Sequence, residues 1–469
     1  MDEKENSEPM DFEAMQEKRS DELTELLDKR DMKQLQRRME EMNEFDVAEF
    51  LTQIEDNRMP MVFRLLSKET AADVFANFEA PEQERIINSI TDSELAGIIE
   101  ELYVDDAVDM MEEMPANVVK RIMRAATPGT RSLINQYLRY PENSAGSIMT
   151  SEFVDLKKYM NVRESIARIR RIGEDKETIY VCFVISADRK LEGIVTVKDL
   201  LLNDDDTTIE NLMDRNVIFA STTEDQESVS EKFSDYDLMA LPVVDTEGRL
   251  VGIVTVDDII DVMEQETTED FEIMAGILPS DKPYSRTEPI DMWKNRIPWL
   301  MFLMLSATFT SMILTSFEQM LAVQAGLVAF IPMLMGTGGN SGAQASTAVI
   351  RSLSIGDSEP KDALRVIWKE WRVALLCGLS LAVVNFGKML LVDSMLLHNA
   401  NVTVLVAATV SLSIVFIVMF AKVVGAMLPL IAEKIGVDPA VMANPLISTV
   451  TDAVSLLIYI YIAKLILNI

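Results

Sequence analysis

The sequence predicts a multi-domain membrane protein: an α-helical superhelical N-terminal domain, a tandem α+β pair, an acidic connecting helix and a five-helix transmembrane domain. Three observations predict it: a split charge distribution, two internal repeats of different kinds, and five long apolar runs in the last part of the chain. Of the 469 residues, those from 293 onward hold 11 basic and 9 acidic side chains, against 32 and 67 before them. The formal charge of −33 therefore belongs to the first part alone. That acidity excludes a nucleic-acid binder, which needs a basic face, and suits a protein that handles cations. Two cysteines, Cys182 and Cys377, and one histidine, His398, provide neither a disulfide framework nor a Cys/His zinc cluster. Ser-His-Asp and Cys-His catalysis are nearly excluded as well, so no enzyme is expected. Any metal must be held by oxygen ligands, which favours magnesium, calcium or manganese.

Taken in order, residues 1–20 are polar and acidic and are expected to be disordered. Their lack of an apolar core predicts no secretory signal, so the acidic half should stay in the cytoplasm. Residues 21–140 carry apolar positions at helical spacing and an internal repeat. Glu69-Thr-Ala-Ala-Asp73-Val-Phe returns as Asp105-Asp-Ala-Val-Asp109-Met-Met at an offset of 36, and Arg85-Ile-Ile as Arg121-Ile-Met. That period suggests stacked helix pairs. Asp73 and Asp109 then occupy equivalent places, either as cation ligands or as acids favoured by a helix N-terminus.

Residues 141–205 and 206–262 form the second repeat. Gly193-Ile-Val-Thr196-Val-Lys-Asp199-Leu and Gly252-Ile-Val-Thr255-Val-Asp-Asp258-Ile recur at an offset of 59. Each follows a β-like run and a turn, and each lies downstream of a methionine-bearing segment, Gly146-Ser-Ile-Met149-Thr or Glu210-Asn-Leu-Met213-Asp. This pattern resembles a tandem pair of cystathionine-β-synthase (CBS) domains. The likeness implies a site for ATP or another adenine nucleotide, with Thr196 and Asp199 near the ribose, although many CBS pairs bind nothing.

Residues 257–290 make the connecting helix and linker. Eight carboxylates fall between Asp257 and Glu272 without one Lys or Arg. Like charges at i,i+3 and i,i+4 each cost about 0.2–0.5 kcal/mol in a helix. The stretch is therefore either a solvated acidic linker or a helix that packs only when cations bridge it to its surroundings.

Within residues 291–469 the five runs are about 297–317, 322–350, 373–392, 402–432 and 440–467, each long enough to span a bilayer. The connection after the second carries Arg351, Lys361, Arg365, Lys369 and Arg372, which sets it on the cytoplasmic side. The second run is interrupted by Pro332-Met-Leu-Met-Gly336-Thr-Gly-Gly-Asn340-Ser-Gly-Ala-Gln344-Ala-Ser-Thr347, whose glycines and proline loosen the backbone. Its Thr337, Asn340, Gln344 and Thr347 share a helix face, as close helix packing or as the wall of a wet path. The last run carries Asp452. An ionisable side chain there costs about 3 kcal/mol on insertion scales and is usually kept for a polar cavity or ion path. Asn444, Ser448, Asp452, Ser455 and Tyr459 fall together at helical spacing. The alternative is an acid satisfied by a neighbouring helix. An odd number of spans without a repeat leaves no closed pathway in one subunit, so a dimer is expected.

With Gly336-Thr-Gly-Gly-Asn340-Ser-Gly-Ala-Gln344 and Gly436-Val-Asp438-Pro-Ala…Asn444-Pro-Leu…Asp452 added to this order of domains, the whole chain resembles the MgtE-type magnesium transporter/channel family. The resemblance implies a homodimer in the lipid of the plasma membrane, importing Mg²⁺, with its N-terminal half cytoplasmic. Asp452 would bind hydrated Mg²⁺ at the dimer axis, assisted by the backbone carbonyl near Ser448, with Asn340, Gln344 and Asn444 lining the pore. The acidic helix, called the plug helix, would close the pore when Mg²⁺ is abundant. Implied sensing ligands are Asp73, Asp105 and Asp109 in the N-terminal domain, and Asp225, Glu227 and Asp237 in the second CBS unit. Asp258, Asp261, Glu266, Glu269 and Asp270 on the acidic helix would add to them, facing Asp438. A carrier for another divalent cation such as Co²⁺ or Mn²⁺, or a CBS-regulated channel for another ion, is the alternative that oxygen ligands leave open.

Overall fold

The computed structural model describes residues 12–280, 284, 287–323, 325–396, 398 and 402–468. It divides between Met263 and Glu264 into two compact units, the boundary falling inside the acidic helix Val256–Met274. A helix starts at Phe12, so the part of the expected disordered tail from residue 12 to 20 is helical instead. Gln16 donates to Asp46 and Ser20 to Gln53, which ties this helix to the helix Glu44–Gln53. Residues 1–11 of that expectation lie outside the described residues.

The first unit opens with short helices of five to ten residues after the first one, and the 36-residue repeat is visible in its contacts. Asp73 lies in the helix Lys68–Ala76 and Asp109 in Val104–Glu113. In the next helix of each repeat an arginine reaches back to an earlier acid: Arg85 to Asp56 at 2.9 Å and Arg121 to Asp92 at 2.9 Å. The acids of these pairs are mostly exposed, so the pairs are worth little alone. The stack is held by apolar burial along one continuous core, through Phe50, Phe75, Ile86, Leu95, Val108 and Ile122. That core continues into the second α+β unit through Val229, Leu241, Val254 and Ile259.

Two three-stranded sheets follow. β1 (Phe153–Leu156) runs parallel to β2 (Thr178–Ile185), which pairs antiparallel with β3 (Leu191–Thr196). β4 (Ala220–Ser221), β5 (Ala240–Val244) and β6 (Leu250–Thr255) repeat the arrangement. Each methionine-bearing segment crosses to the other sheet. Thr150 exchanges both backbone hydrogen bonds with Ile253 of β6, at 2.7 and 2.9 Å, and Asp214 does so with Ile194 of β3, at 2.9 and 3.0 Å. The methionine before each segment lies over the motif glycine of the opposite unit. A Cβ on Gly252 would stand 2.7 Å from Met149 Sδ, and one on Gly193 would stand 2.9 Å from Met213 Sδ. This contact explains why both motifs open with glycine.

The second unit is built from apolar helices. Among the described residues four of them are long and apolar enough to cross a membrane: Pro289–Ser316, Pro360–Leu396, Val404–Lys434 and Pro439–Leu467. The second expected span, 322–350, does not form one continuous helix. The chain is helical at Glu318–Val323, tightens to a 3₁₀ stretch at Ala325–Phe330, and restarts as the glycine-rich helix Ile331–Ser354 with Pro332 in its first turn. Glycine, Ser, Thr, Asn and Gln keep this helix outside the apolar set.

The glycine-rich helix packs against Val404–Lys434 and Asn444–Leu467. A Cβ on Gly425 would fall 2.3 Å from the backbone oxygen of Gly342, and one on Gly342 would fall 2.6 Å from Ile447 Cγ2. Backbone therefore lies on backbone, as small-residue helix contacts allow. The helix Ala363–Lys388 packs on Val404–Lys434 along three successive contacts. Asn385 Nδ2 donates to Ser411 Oγ at 3.0 Å, Gly378 faces the backbone of Val415, and Glu370 meets the buried Lys422 at 3.9 Å.

Because a backbone oxygen cannot swing away as a side chain can, Gly425→Ala should destabilise the membrane unit by about 1–3 kcal/mol. A lower melting temperature of the detergent-solubilised chain on size-exclusion thermal assays would register it; an unchanged one would contradict the contact.

Candidate ion pathway and acidic clusters

The polar residues of the last helix divide between two faces. Thr451, Ser455 and Tyr459 are buried, Ser455 opposite Gly338, while Tyr459 donates its hydroxyl to the Leu327 carbonyl at 2.9 Å. These side chains fasten the helix inside the bundle, so the expected single stripe from Asn444 to Tyr459 does not hold. Ser448 and Asp452 lie at the half-buried edge, and the side chain of Asn444 lies outside the described residues. Gly339 brings the glycine-rich helix to that edge, since a Cβ there would sit 3.4 Å from Ser448 Oγ. Asn340, Gln344 and Thr347 are exposed on the adjacent face of that helix. Thr337 turns back to its own helix, donating to the Met333 carbonyl at 2.7 Å. The result is a carboxylate, two amides and two hydroxyls left at or near the surface of two packed helices. Hydrated cations are the ligands such groups suit.

In the first unit, folding crowds carboxylates. Asp105 is 8% exposed, and its Oδ1 is buried with no hydrogen-bond partner. Burial pushes its carboxyl well above the usual range, with Asp106, Asp258 and Glu177 adding to the effect. Burial first and Asp258 second raise Asp106 to about 6, and burial then Asp258 raise Glu177 to about 7. Asp258 itself is raised to about 6 by burial, although Thr255 Oγ1 donates to it at 2.6 Å. The Asp109 side chain reaches the surface, yet crowding by surrounding protein and then Asp106 raises it to about 7. Asp73 also acts on Asp106, and is itself pushed up by burial and then by Glu44, Glu69 and Glu101.

In the second unit, Asp270 is raised to about 6 by burial, then Asp438 and Glu266, with Arg351 opposing. Asp438 also accepts from Ala440 N at 2.7 Å, capping the turn before the last helix. Among the described residues no three carboxylates stand close enough to ligate one ion directly. An ion bridging them would act through its water shell, the mode Mg²⁺ favours.

Other sequence candidates have local structural work. Asp225 caps the helix Gln226–Tyr236 through Glu227 N at 3.0 Å, and Asp237 ends it in a left-handed conformation. Asp261 is exposed; Glu266 and Glu269 are half-buried. Thr196 and Asp199 close a capping box, with Asp199 Oδ2 accepting from both Thr196 N and Oγ1. Sequence patterns miss Asp106 and Glu177. Asp106 adjoins the candidate Asp105, whereas Glu177, just before β2, has no pattern to mark it.

The family model described as divalent cation transporter matches residues 331–462, the MgtE intracellular N domain matches 42–143, and the CBS domain matches 145–205 and 209–265. A magnesium transporter MgtE of Thermus thermophilus is 38% identical over 97% of this chain and 100% of its own length. Another from Enterococcus faecalis is 32% identical over 71% of each chain. The crystal structure of the soluble part of a magnesium transporter covers 54% of this chain and 99% of its own, at 29% identity and a TM-score of 0.52.

For an acid raised by burial, the folded state holds its proton at a pH where the unfolded chain has lost it. Stability therefore rises as pH falls through the folded values of about 7 to 6. Without divalent ions, the full chain in detergent should melt higher at pH 6 than at pH 8, and Asp106→Asn should raise the pH 8 value. A lower melting temperature at pH 6 would refute the crowding.

Proposed function

The chain belongs to the MgtE family of divalent cation transporters, and from that premise we propose that it conducts Mg²⁺ inward and closes its own path when cytosolic Mg²⁺ is abundant. It is a multi-pass membrane protein with a cytoplasmic N-terminal half. The observation that carries the pathway is the pairing of the Asn340/Gln344 helix with the Ser448/Asp452 helix through glycine contacts. Mg²⁺ gives up its water reluctantly and is typically held through one or two carboxylates with several waters kept. Asp452 supplies the charge, and the Ser448 carbonyl and the two amides supply dipoles that a hydrated ion can meet.

The glycine-rich helix, less apolar than the other four, serves as the fifth span, its polar face turned to the path. Two copies of the chain complete that path as a homodimer. The exposed Asn340, Gln344 and Thr347 support this, as does the helix Pro289–Ser316, which buries none of its residues within one chain.

Regulation uses the crowded carboxylates. Asp105, Asp106, Asp109, Glu177 and Asp258 in the first unit, and Glu266, Asp270 and Asp438 in the second, repel one another unless cations screen them. Bound Mg²⁺ favours the compact arrangement with the acidic helix closing the path; its loss favours the expanded one. Asp73, Asp225, Glu227, Asp237, Asp261 and Glu269 extend the same acidic surfaces. At the CBS pair, Asp199 commits only Oδ2 to its capping box, leaving Oδ1 for a ribose hydroxyl of an adenine nucleotide.

Asp452→Asn should abolish Mg²⁺ uptake into proteoliposomes while the chain still elutes as an assembled dimer. Uptake at the parental rate would reject the pore assignment. Neutralising Glu266, Glu269 and Asp270 together should leave patch-clamp currents running at millimolar cytosolic Mg²⁺; closure at the parental concentration would reject the regulatory one.

A further inference from the structure

The first turns of the helix Ala363–Lys388 carry a face that the transport path does not use. Arg365, Trp368, Lys369 and Arg372 are all exposed there, at i, i+3, i+4 and i+7. None of the three cations forms an ion pair among the described residues. Trp368 and Trp371 stack with centroids 5.0 Å apart and planes 8° from parallel, and the Arg372 guanidinium lies 6.0 Å over the Trp368 ring. The one acid on these turns, Glu370, points the other way. Its side chain is 14% exposed and meets Lys422, 6% exposed, at 3.9 Å inside the bundle. The outward charges therefore have no internal counterion. Farther along the helix the exposed residues become apolar: Leu376, Leu379, Val383 and Val384. A basic end with indoles, continuing into a lipid-facing stripe, matches the chemistry of a bilayer interface.

We propose that this face binds the phosphate headgroup of an anionic phospholipid, with the paired indoles at the glycerol level and the apolar stripe against the acyl chains. Charge complementarity selects an anionic lipid over a zwitterionic one, and each Lys or Arg near an anionic surface contributes about fivefold to the enrichment. The inward Glu370 to Lys422 contact couples this lipid-binding turn to the helix that packs on the glycine-rich helix. The cytoplasmic leaflet follows from the five-span arrangement proposed for this family member; the binding itself does not depend on the leaflet.

The test uses full-length W293F/W299F chain in vesicles, where Trp368 and Trp371 are the remaining indoles of four. Brominated phosphatidylglycerol in both leaflets should quench their fluorescence more strongly than brominated phosphatidylcholine at equal mole fraction. R365Q/K369Q/R372Q should remove that preference, and millimolar inorganic phosphate should leave it intact. Equal quenching by the two lipids in the parent, or a preference that survives the triple substitution, overturns the proposal. Displacement by inorganic phosphate overturns it too, since the site would then take free phosphate. Should the double-Phe parent not fold, the same comparison on the wild-type chain, read from all four indoles, supports or overturns the proposal by the same criteria.

Discussion

Unpaired negative charge is the constraint on which the rest depends. Folding places Asp105, Asp106, Asp258 and Glu177 close enough to raise one another, and it leaves a buried Asp105 oxygen without a donor. A buried charge normally needs a partner or gives up its ionisation. Here the chain supplies few basic side chains near the cluster, so the compensating charge must come from protons or from ions in solution. The first unit is thereby sensitive to its ionic surroundings, while its apolar core, continuous from the first helices to Ile259, keeps it folded.

The membrane unit solves a different problem. Helices in lipid gain little from apolar burial and associate through close packing and hydrogen bonds. The contacts of Gly342 and Gly425 bring two helices into backbone contact, and Gly338 and Gly342 admit Ser455 and Ile447 of the third. Once they touch at these points, the faces bearing Asn340 and Gln344 on one helix, and Ser448 and Asp452 on another, have no room to turn inward. Small residues thus decide where the large polar ones are displayed.

Much of this was legible in the sequence because it was periodic. The offsets of 36 and 59 announced the stacked helices and the paired sheets, and the misplaced Asp452 marked its helix. The second span reads as interrupted, but Pro332 and the glycines put the break within 332–347, whereas the chain tightens to 3₁₀ geometry before residue 331 and is helical from there. The split of the polar stripe was also hidden. Spacing puts Ser448, Asp452, Ser455 and Tyr459 together, but only the Leu327 carbonyl and Gly338 decide that the last two are buried. Glu177 was invisible for the same reason: its neighbours in the cluster come from distant parts of the chain, and a single acid before a strand carries no pattern.

The crossed pairing of the two sheets has a consequence for biogenesis. The segment at Thr150 finds its strand partner only when Ile253 of the second sheet has been made, so it must wait while the whole first sheet is synthesised. Such a distant pairing carries a loop-closure cost before any contact repays it. The paired units and the core they share with the N-terminal helices therefore reach their final form as one late event. By then the acidic helix is next in line and the first apolar segment is about to be translated, so assembly of the cytoplasmic half is timed against membrane insertion.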